Sequence, residues 1–340
     1  YQTQILIKMN RKKFIAILAY GGIGLIAFGL SSNYKSQIDE IKKTFFTNNK
    51  IKISLAQWSL HNIINRREIS PYDFPKLASE WGFSGIEHVN ALYNDVMDSN
   101  NKNLALKTFI KKNNQLAEDH DIKNLMIMID GEGDLCENNR NKRLNAVENH
   151  YPWVETAAAM GCHSIRINLF VPSGQAYNAN DWKNTSIESL GKIGEYAESY
   201  GVNVLVENHG GLSSNAKSLI EVINAVGKNN CGTLPDFGNF CLRREKNERW
   251  DNKCLEEYDK YQGIDELMDK SLGSVSAKSY DFDNQGNETS IDYERMVKII
   301  KKHDFSGYIG VEYGGGEYGG VPMSDDKGTI ATRNLLLKLI

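Results

Sequence analysis

From residue 51 onward, short apolar runs alternate with stretches whose apolar side chains recur at helical spacing. Eight runs have strand length, at 51–58, 85–89, 124–130, 162–169, 202–208, 231–235, 274–278 and 307–312. Their starts lie 34, 39, 38, 40, 29, 43 and 33 residues apart, which leaves room for one helix and its loops in each interval. Ser70-Pro71 places an N-cap and a first-position proline ahead of Phe74, Leu77, Ala78 and Trp81. Residues 104–117 and 143–160 carry apolar residues at the same spacing. Ser213 is expected to cap a helix bearing Leu219, Ile220, Val222, Ile223 and Val226, Ser290 to open one over 291–302, and a leucine-rich helix over 326–340 to close the chain. Such alternation predicts a parallel sheet covered by helices. Eight units over 340 − 50 = 290 residues fit a single closed (β/α)8 TIM barrel, an α/β fold, over 51–340 better than an open sheet. A dinucleotide-binding GxGxxG after an early strand is missing, and no repeat suggests a solenoid.

The first fifty residues follow another pattern. A basic Asn10-Arg11-Lys12-Lys13 precedes an apolar stretch over 14–30 and the polar exit Ser31-Ser32-Asn33. Residues 1–32 therefore read as a secretory signal peptide, with a retained membrane anchor as the competing reading. No cysteine follows the apolar run, which removes a lipoprotein. Residues 33–50 are polar and lysine-rich, a linker. Export, to a periplasm, is the resulting expectation.

Composition narrows the classes. Lys and Arg number 40 against 43 Asp and Glu, a net charge of −3, so no general positive field favours nucleic acid. Five cysteines at wide spacing, with no CxxC pair, argue against a disulfide framework and against a thiolate zinc site. The basic loop Arg243-Arg244-Glu245-Lys246 after strand six reads as solvated.

Chemistry gathers where the apolar runs end. These ends carry Trp58 and His61, Asn90, Glu132, Arg166 and Asn168, Glu207 and His209, Asp236 and Asn239, Lys278, and Glu312. A TIM barrel builds its site from the C-terminal ends of its strands. A lone terminal acid is commonly a helix cap or a solvated carboxylate. Closing the barrel, however, aims Glu207, Asp236 and Glu312 at one axial space, where their mutual repulsion calls for a cation. Oxygen ligands suit Mn²⁺ or Mg²⁺, and an added nitrogen moves the preference towards Zn²⁺ or Co²⁺.

The fragments VENHGG (206–211), LPDFGNF (234–240), SAKSYDFD (276–283) and IGVEYGG (309–315) resemble the xylose isomerase-like TIM barrel superfamily, the sugar phosphate isomerase/epimerase group. The resemblance implies a divalent metal held by a glutamate, an aspartate, a histidine and a glutamate on strands five to eight. Glu207, Asp236 and Glu312 match three of these. The fourth position is Lys278, with Asp281 kept after it, and Asn239 stands where the group has a further histidine. Since a protonated lysine is no metal ligand, two arrangements stay open. Either His209 supplies the nitrogen, or Lys278 supplies the positive charge itself.

By this resemblance, Glu207 and Glu312 would serve as acid and base in removing a proton beside a carbonyl, with an enediolate intermediate. Lys278, Arg166, Asn168, His61, Trp58 and Asn239 would bind a carbohydrate. Export favours an unphosphorylated sugar or sugar derivative, because sugar phosphates are mostly cytoplasmic. The same site would serve a lyase or hydratase acting on 3-keto sugars or 3-keto glycosides, and a non-catalytic sugar-binding protein on this fold is the alternative of another class.

Overall fold

The structure is a computed structural model that describes residues 50–175, 178–247, 249, 253–315 and 323–340. The predicted signal segment and nearly all of the linker lie outside the described residues. Residues 51–340 form one unit. Its strands are β1 (Ile51–Ala56), β2 (Gly85–Val89), β3 (Lys123–Met128), β4 (Ser164–Ile167), β5 (Asn203–Glu207), β6 (Cys231–Leu234), β7 (Cys241–Arg244), β8 (Cys254–Glu257), β9 (Ser274–Ser279) and β10 (Gly307–Tyr313).

Eight of these pair in parallel in the order β6-β5-β4-β3-β2-β1-β10-β9. Single parallel bridges, Thr233 to Ser271 and Asp236 to Ser276, join β6 to β9 and complete the ring. Each predicted strand is present: 85–89 keeps its bounds, those at 274 and 307 run one residue further, the one predicted from 124 starts at Lys123, and the others are trimmed at their ends. The helices follow, including a 20-residue segment Arg140–Ala159 and the closing Asp325–Leu339. Ser70 caps as predicted, forming a capping box with Asp73 ahead of Phe74–Glu80.

Three local expectations are corrected. The helix Ala216–Val226 is capped by Asn215, because the hydroxyls of Ser213 and Ser214 are taken by the backbone N–H groups of His209 and Gly210. Asp292, not Ser290, caps Tyr293–Lys302, since Ser290 donates to Glu288 instead. The basic loop after strand six is part of an antiparallel hairpin, β7 with β8, stapled by a Cys241–Cys254 disulfide. The two cysteines stand 13 apart at the base of the hairpin, with Cα atoms 5.8 Å apart, a separation a disulfide accepts. Cys136, Cys162 and Cys231 are buried free thiols.

Polar side chains occupy part of the barrel interior, not only its rim. Ser54 on β1 donates to Glu87 Oε1 on β2 at 2.6 Å. Gly310 on β10 leaves the room Glu87 needs: a Cβ there would lie 2.5 Å from Glu87 Oε1. His88, one residue on, faces the other side of the sheet, as strand alternation requires. It packs among Phe74, Tyr93 and Phe109 and bonds Asn124, and burial lowers its pKa to about 4, which makes it a neutral core histidine.

Candidate active site

The C-terminal mouth of the barrel opens into a pocket of about 1360 Å³. β5, β6 and β10 deliver three carboxylates there: Glu312 lines the pocket, while Glu207 and Asp236 lie behind the lining residues Arg166, Gly238 and Asn239 that contact them. Glu207 closes β5, Asp236 lies two residues beyond β6, and Glu312 sits one residue before the end of β10. Among the described residues, these three form a group whose ligand atoms lie within 4.8 Å of one another. All three are buried.

Each acid is held differently. Asp236 Oδ1 accepts from the backbone N–H of Gly238 and Asn239 at 2.8 and 2.9 Å, and Oδ2 accepts from Ser276 Oγ at 2.5 Å. Glu207 Oε1 accepts from Asn239 Nδ2 at 2.9 Å. Its Oε2 lies 3.0 Å from Arg166 Nε, close enough for an ion pair, but the N–H is not aligned on the oxygen, and neither atom has another hydrogen-bond partner. Glu312 Oε1 accepts from Lys278 Nζ at 2.7 Å, with Ser276 Oγ 3.5 Å from its Oε2. Register explains that pair, since Lys278 and Glu312 are directly opposed on β9 and β10, and Ser276 precedes Lys278 on the same face.

Burial sets the protonation pattern. It raises Glu207 well above the usual carboxylate range, against the pull of Arg166, and Glu312 and Asp236 raise it further. Asp236 is pushed up to about 6, chiefly by burial, with Lys278 opposing. Burial alone would lower Arg166, but Asp130 and Glu207 more than offset this and keep it charged. Arg166 Nη1 donates to Asp130 Oδ1 at 2.7 Å, and Asn168 Nδ2 donates to the same oxygen at 2.9 Å.

Because the Asn168 amide nitrogen is committed to Asp130, its oxygen faces His209 Nδ1 at 2.8 Å and must accept from it. His209 is thereby fixed as the Nδ1–H tautomer. Burial and the charges of Arg166, Lys278 and Arg249 hold it well below its ordinary pKa, so it stays neutral. Its Nδ1 lies 3.7 Å from Glu207 Oε2, beside the carboxylate group and not within it.

The pocket mouth carries an aromatic platform. Trp58 and His61 stack with centroids 4.5 Å apart and planes within 5°, and His61 Nδ1 donates to the Trp58 carbonyl. Both line the pocket, as do Arg166, Asn168, His209, Asn239, Lys278 and Glu312. Of the twelve residues singled out from the sequence, nine line this pocket, and Glu207 and Asp236 contact its lining. Asn90, by contrast, spends its amide on the Asp130 backbone, while Glu132 lines the pocket and accepts from Trp153 and Lys102.

The structure adds Asp130, Ser276 and Glu87. Asp130 ends an apolar run, but its part in steering Arg166 shows only in three dimensions. Ser276 and Glu87 lie inside strands, and the one available clue is their strand parity, two residues before Lys278 and two after Gly85. The β7–β8 hairpin contributes Cys241, Arg244, Cys254 and Glu257 to the pocket wall.

A model of the xylose isomerase-like TIM barrel family matches residues 75–337. The chain belongs to this family. No curated protein matches the sequence. Among solved structures, the chain is similar to a D-allulose 3-epimerase from Methylomonas sp. in complex with D-allulose (11% identity, TM-score 0.64, covering 85% of this chain and 97% of that one). It is also similar to a 3-keto-D-glucoside 4-epimerase from E. coli (13% identity, TM-score 0.60, 86% and 99%) and to an IolI protein with a binding zinc atom (15% identity, TM-score 0.60, 85% and 97%). At such identities the likeness is one of fold.

Proposed function

We propose that this protein is a sugar isomerase or epimerase that removes a proton from the carbon beside a carbonyl of an unphosphorylated sugar or sugar derivative. The observation that carries this reading is the convergence of Glu207, Asp236 and Glu312, with Lys278 bonded to Glu312, beside a pocket that Glu312 and Lys278 line. Glu207, raised by burial well above the usual carboxylate range, holds a proton more readily than an exposed carboxylate, as an acid/base group must. Glu312 approaches from a different strand as its partner in the exchange, so that one carboxylate takes the proton and the other returns it. Asp236 is held by backbone N–H groups and Ser276 and keeps a fixed position. Arg166 orients Glu207, while Lys278, Asn168 and Asn239 offer polar contacts to substrate oxygens, and the Trp58–His61 platform offers a face for a sugar ring to stack on.

The donor set fits a divalent metal ion. Three buried carboxylates converge, and Glu207 Oε2 has no aligned hydrogen-bond donor. Glu207, Asp236 and Glu312 would hold the ion, with Mg²⁺ or Mn²⁺ best suited to oxygen ligands and Co²⁺ or Zn²⁺ favoured should His209 leave Asn168 and join them. Such an ion, when bound, supplies Lewis-acid stabilisation of the developing enediolate oxygen.

The volume of the pocket favours a second reading. At about 1360 Å³ it exceeds the roughly 300–1,000 Å³ common for small-molecule sites, which suits a 3-keto glycoside undergoing elimination or hydration at the same carboxylates. Export remains part of the proposal, and the hairpin disulfide supports it, because disulfides persist in oxidising compartments.

Deuterium exchange tests the central step. In D₂O, free ketoses and 3-keto sugars should gain deuterium beside the carbonyl, read by NMR. Glu207→Gln and Glu312→Gln should each slow the exchange by about 10²–10⁴-fold. Undiminished exchange in both variants would remove the acid/base assignment. Binding by calorimetry without exchange in the wild type would leave a sugar-binding protein.

A further inference from the structure

Lys278 is an unusual neighbour for a cation site. Its side chain is 3% exposed, and its ammonium lies 2.7 Å from Glu312 Oε1, one of the three converging carboxylates. The strand register puts it there: Lys278 and Glu312 are cross-strand partners, both facing the barrel interior. Glycines complete the seat. A Cβ on Gly238 would lie 2.9 Å from Lys278 Cγ, and one on Gly314 would lie 3.1 Å from Cε, so both positions leave the room that the aliphatic stem occupies. The charge is therefore built into the floor of the site.

We propose that the Lys278 ammonium is the resident cation of the Glu207–Asp236–Glu312 cluster and that it limits how tightly the cluster can take a divalent ion. This rests on reading the three carboxylates as a cation site. Glu312 Oε1, as a ligand, would share its negative charge between the ion and the Lys278 ammonium 2.7 Å away. A dication drawn to the cluster also meets a fixed unit charge a few ångströms away, with little water between to screen it. The consequence is a site that binds divalent ions weakly and exchangeably. Lys278 thus controls metal occupancy and is distinct from the acids that would move the proton.

Calorimetric titration of the metal-stripped protein with Mn²⁺ and with Zn²⁺ tests this, together with the shift of thermal midpoint caused by each ion. Lys278→Gln removes the charge and keeps a donor, while Lys278→Arg keeps the charge. The expected result is a dissociation constant at least about 100-fold lower in Lys278→Gln than in the wild type, with a correspondingly larger metal-induced midpoint shift, and no tightening in Lys278→Arg. Should Lys278→Gln fail to fold, Lys278→Met carries the same expectation, because it is neutral, similar in length and adds no hard ligand for Mn²⁺. Equal, tight binding by wild type and Lys278→Gln would overturn the proposal while leaving the cluster a metal site. Binding by neither would overturn the proposal and the cation-site reading together. Tightening in Lys278→Arg equal to that in Lys278→Gln would show that packing, not charge, sets the affinity, and would overturn the proposal as well.

Discussion

Replacing Glu87 by Gln should change how stability depends on pH. Glu87 is fully buried on β2, accepts from Ser54 through Oε1, and has no hydrogen-bond partner for Oε2. Burial, reinforced by Glu312 and opposed by Ser54 and Arg166, raises its pKa from 4.5 to about 7. A carboxyl raised on folding contributes stability that is fully present below its unfolded pKa and is lost as pH rises through its folded one. The native state binds the extra proton between about pH 4.5 and 7, so stability falls across that window. Applying the linkage relation to these two values, Glu87 stabilises the fold by roughly 2–3 kcal/mol more at pH 5 than at pH 8. Gln has the shape of the protonated acid and does not titrate. The other buried acids contribute to both proteins, so the difference between the two curves isolates Glu87. Urea unfolding of wild type and Glu87→Gln at half-unit steps from pH 5 to 8 should show the variant gaining roughly 2–3 kcal/mol relative to wild type. Parallel curves would refute the burial of an ionisable Glu87.

The remaining predictions concern packing and the hairpin. Gly310→Ala would place a methyl 2.5 Å from Glu87 Oε1 and should cost about 1–3 kcal/mol in urea unfolding. Adding Glu87→Ala should recover part of that loss, giving a double-mutant coupling of about 1 kcal/mol or more, and strict additivity would count against the contact. Removing the Cys241–Cys254 disulfide through Cys254→Ser should cost up to about 3 kcal/mol by loop-closure entropy. Limited proteolysis should then cut faster between residues 245 and 253, with unchanged cleavage as the contrary result.

Barrel strands are legible in this sequence because each is a short apolar run bounded by polar residues, and chain topology does the rest. The helix Ala179–Glu198 is not legible. Its buried face includes Thr185, Ser186, Ser189 and Gly194, where a periodicity search expects large apolar residues. Gly194 is small for a reason, since a Cβ there would lie 2.3 Å from Cys231 Sγ. The short helix Lys260–Leu267 offers too few turns to show a period. The disulfide escaped because pairing depends on a hairpin whose strands are charged and partly exposed, with no apolar alternation to reveal them. At the site, Glu207, Asp236 and Glu312 stood out as acids at the ends of apolar runs. Glu87 and Ser276 did not, because a polar residue inside a strand reveals its partner only when the barrel is closed.

The way the acids are fixed follows from the geometry of the barrel mouth. Parallel strands splay as they leave the sheet, and their backbone ladder ends just where chemistry is placed. At two points an asparagine continues the ladder with its side-chain amide. Asn90 beyond β2 accepts from Asp130 N at 2.7 Å and donates to Asp130 O at 3.0 Å. Asn208 beyond β5 does the same for Asp236, with the same two distances. Each amide replaces a lost pair of backbone bonds and locks the residue that bears the next carboxylate. Asp236 then anchors one side of the cluster, and Asp130 fixes Arg166, which orients Glu207. Charged groups held this way need little reorganisation when charge develops on a bound substrate, which is the condition under which electrostatic stabilisation is largest. The asparagines act through the backbone, placing the acids on which the proposed chemistry depends.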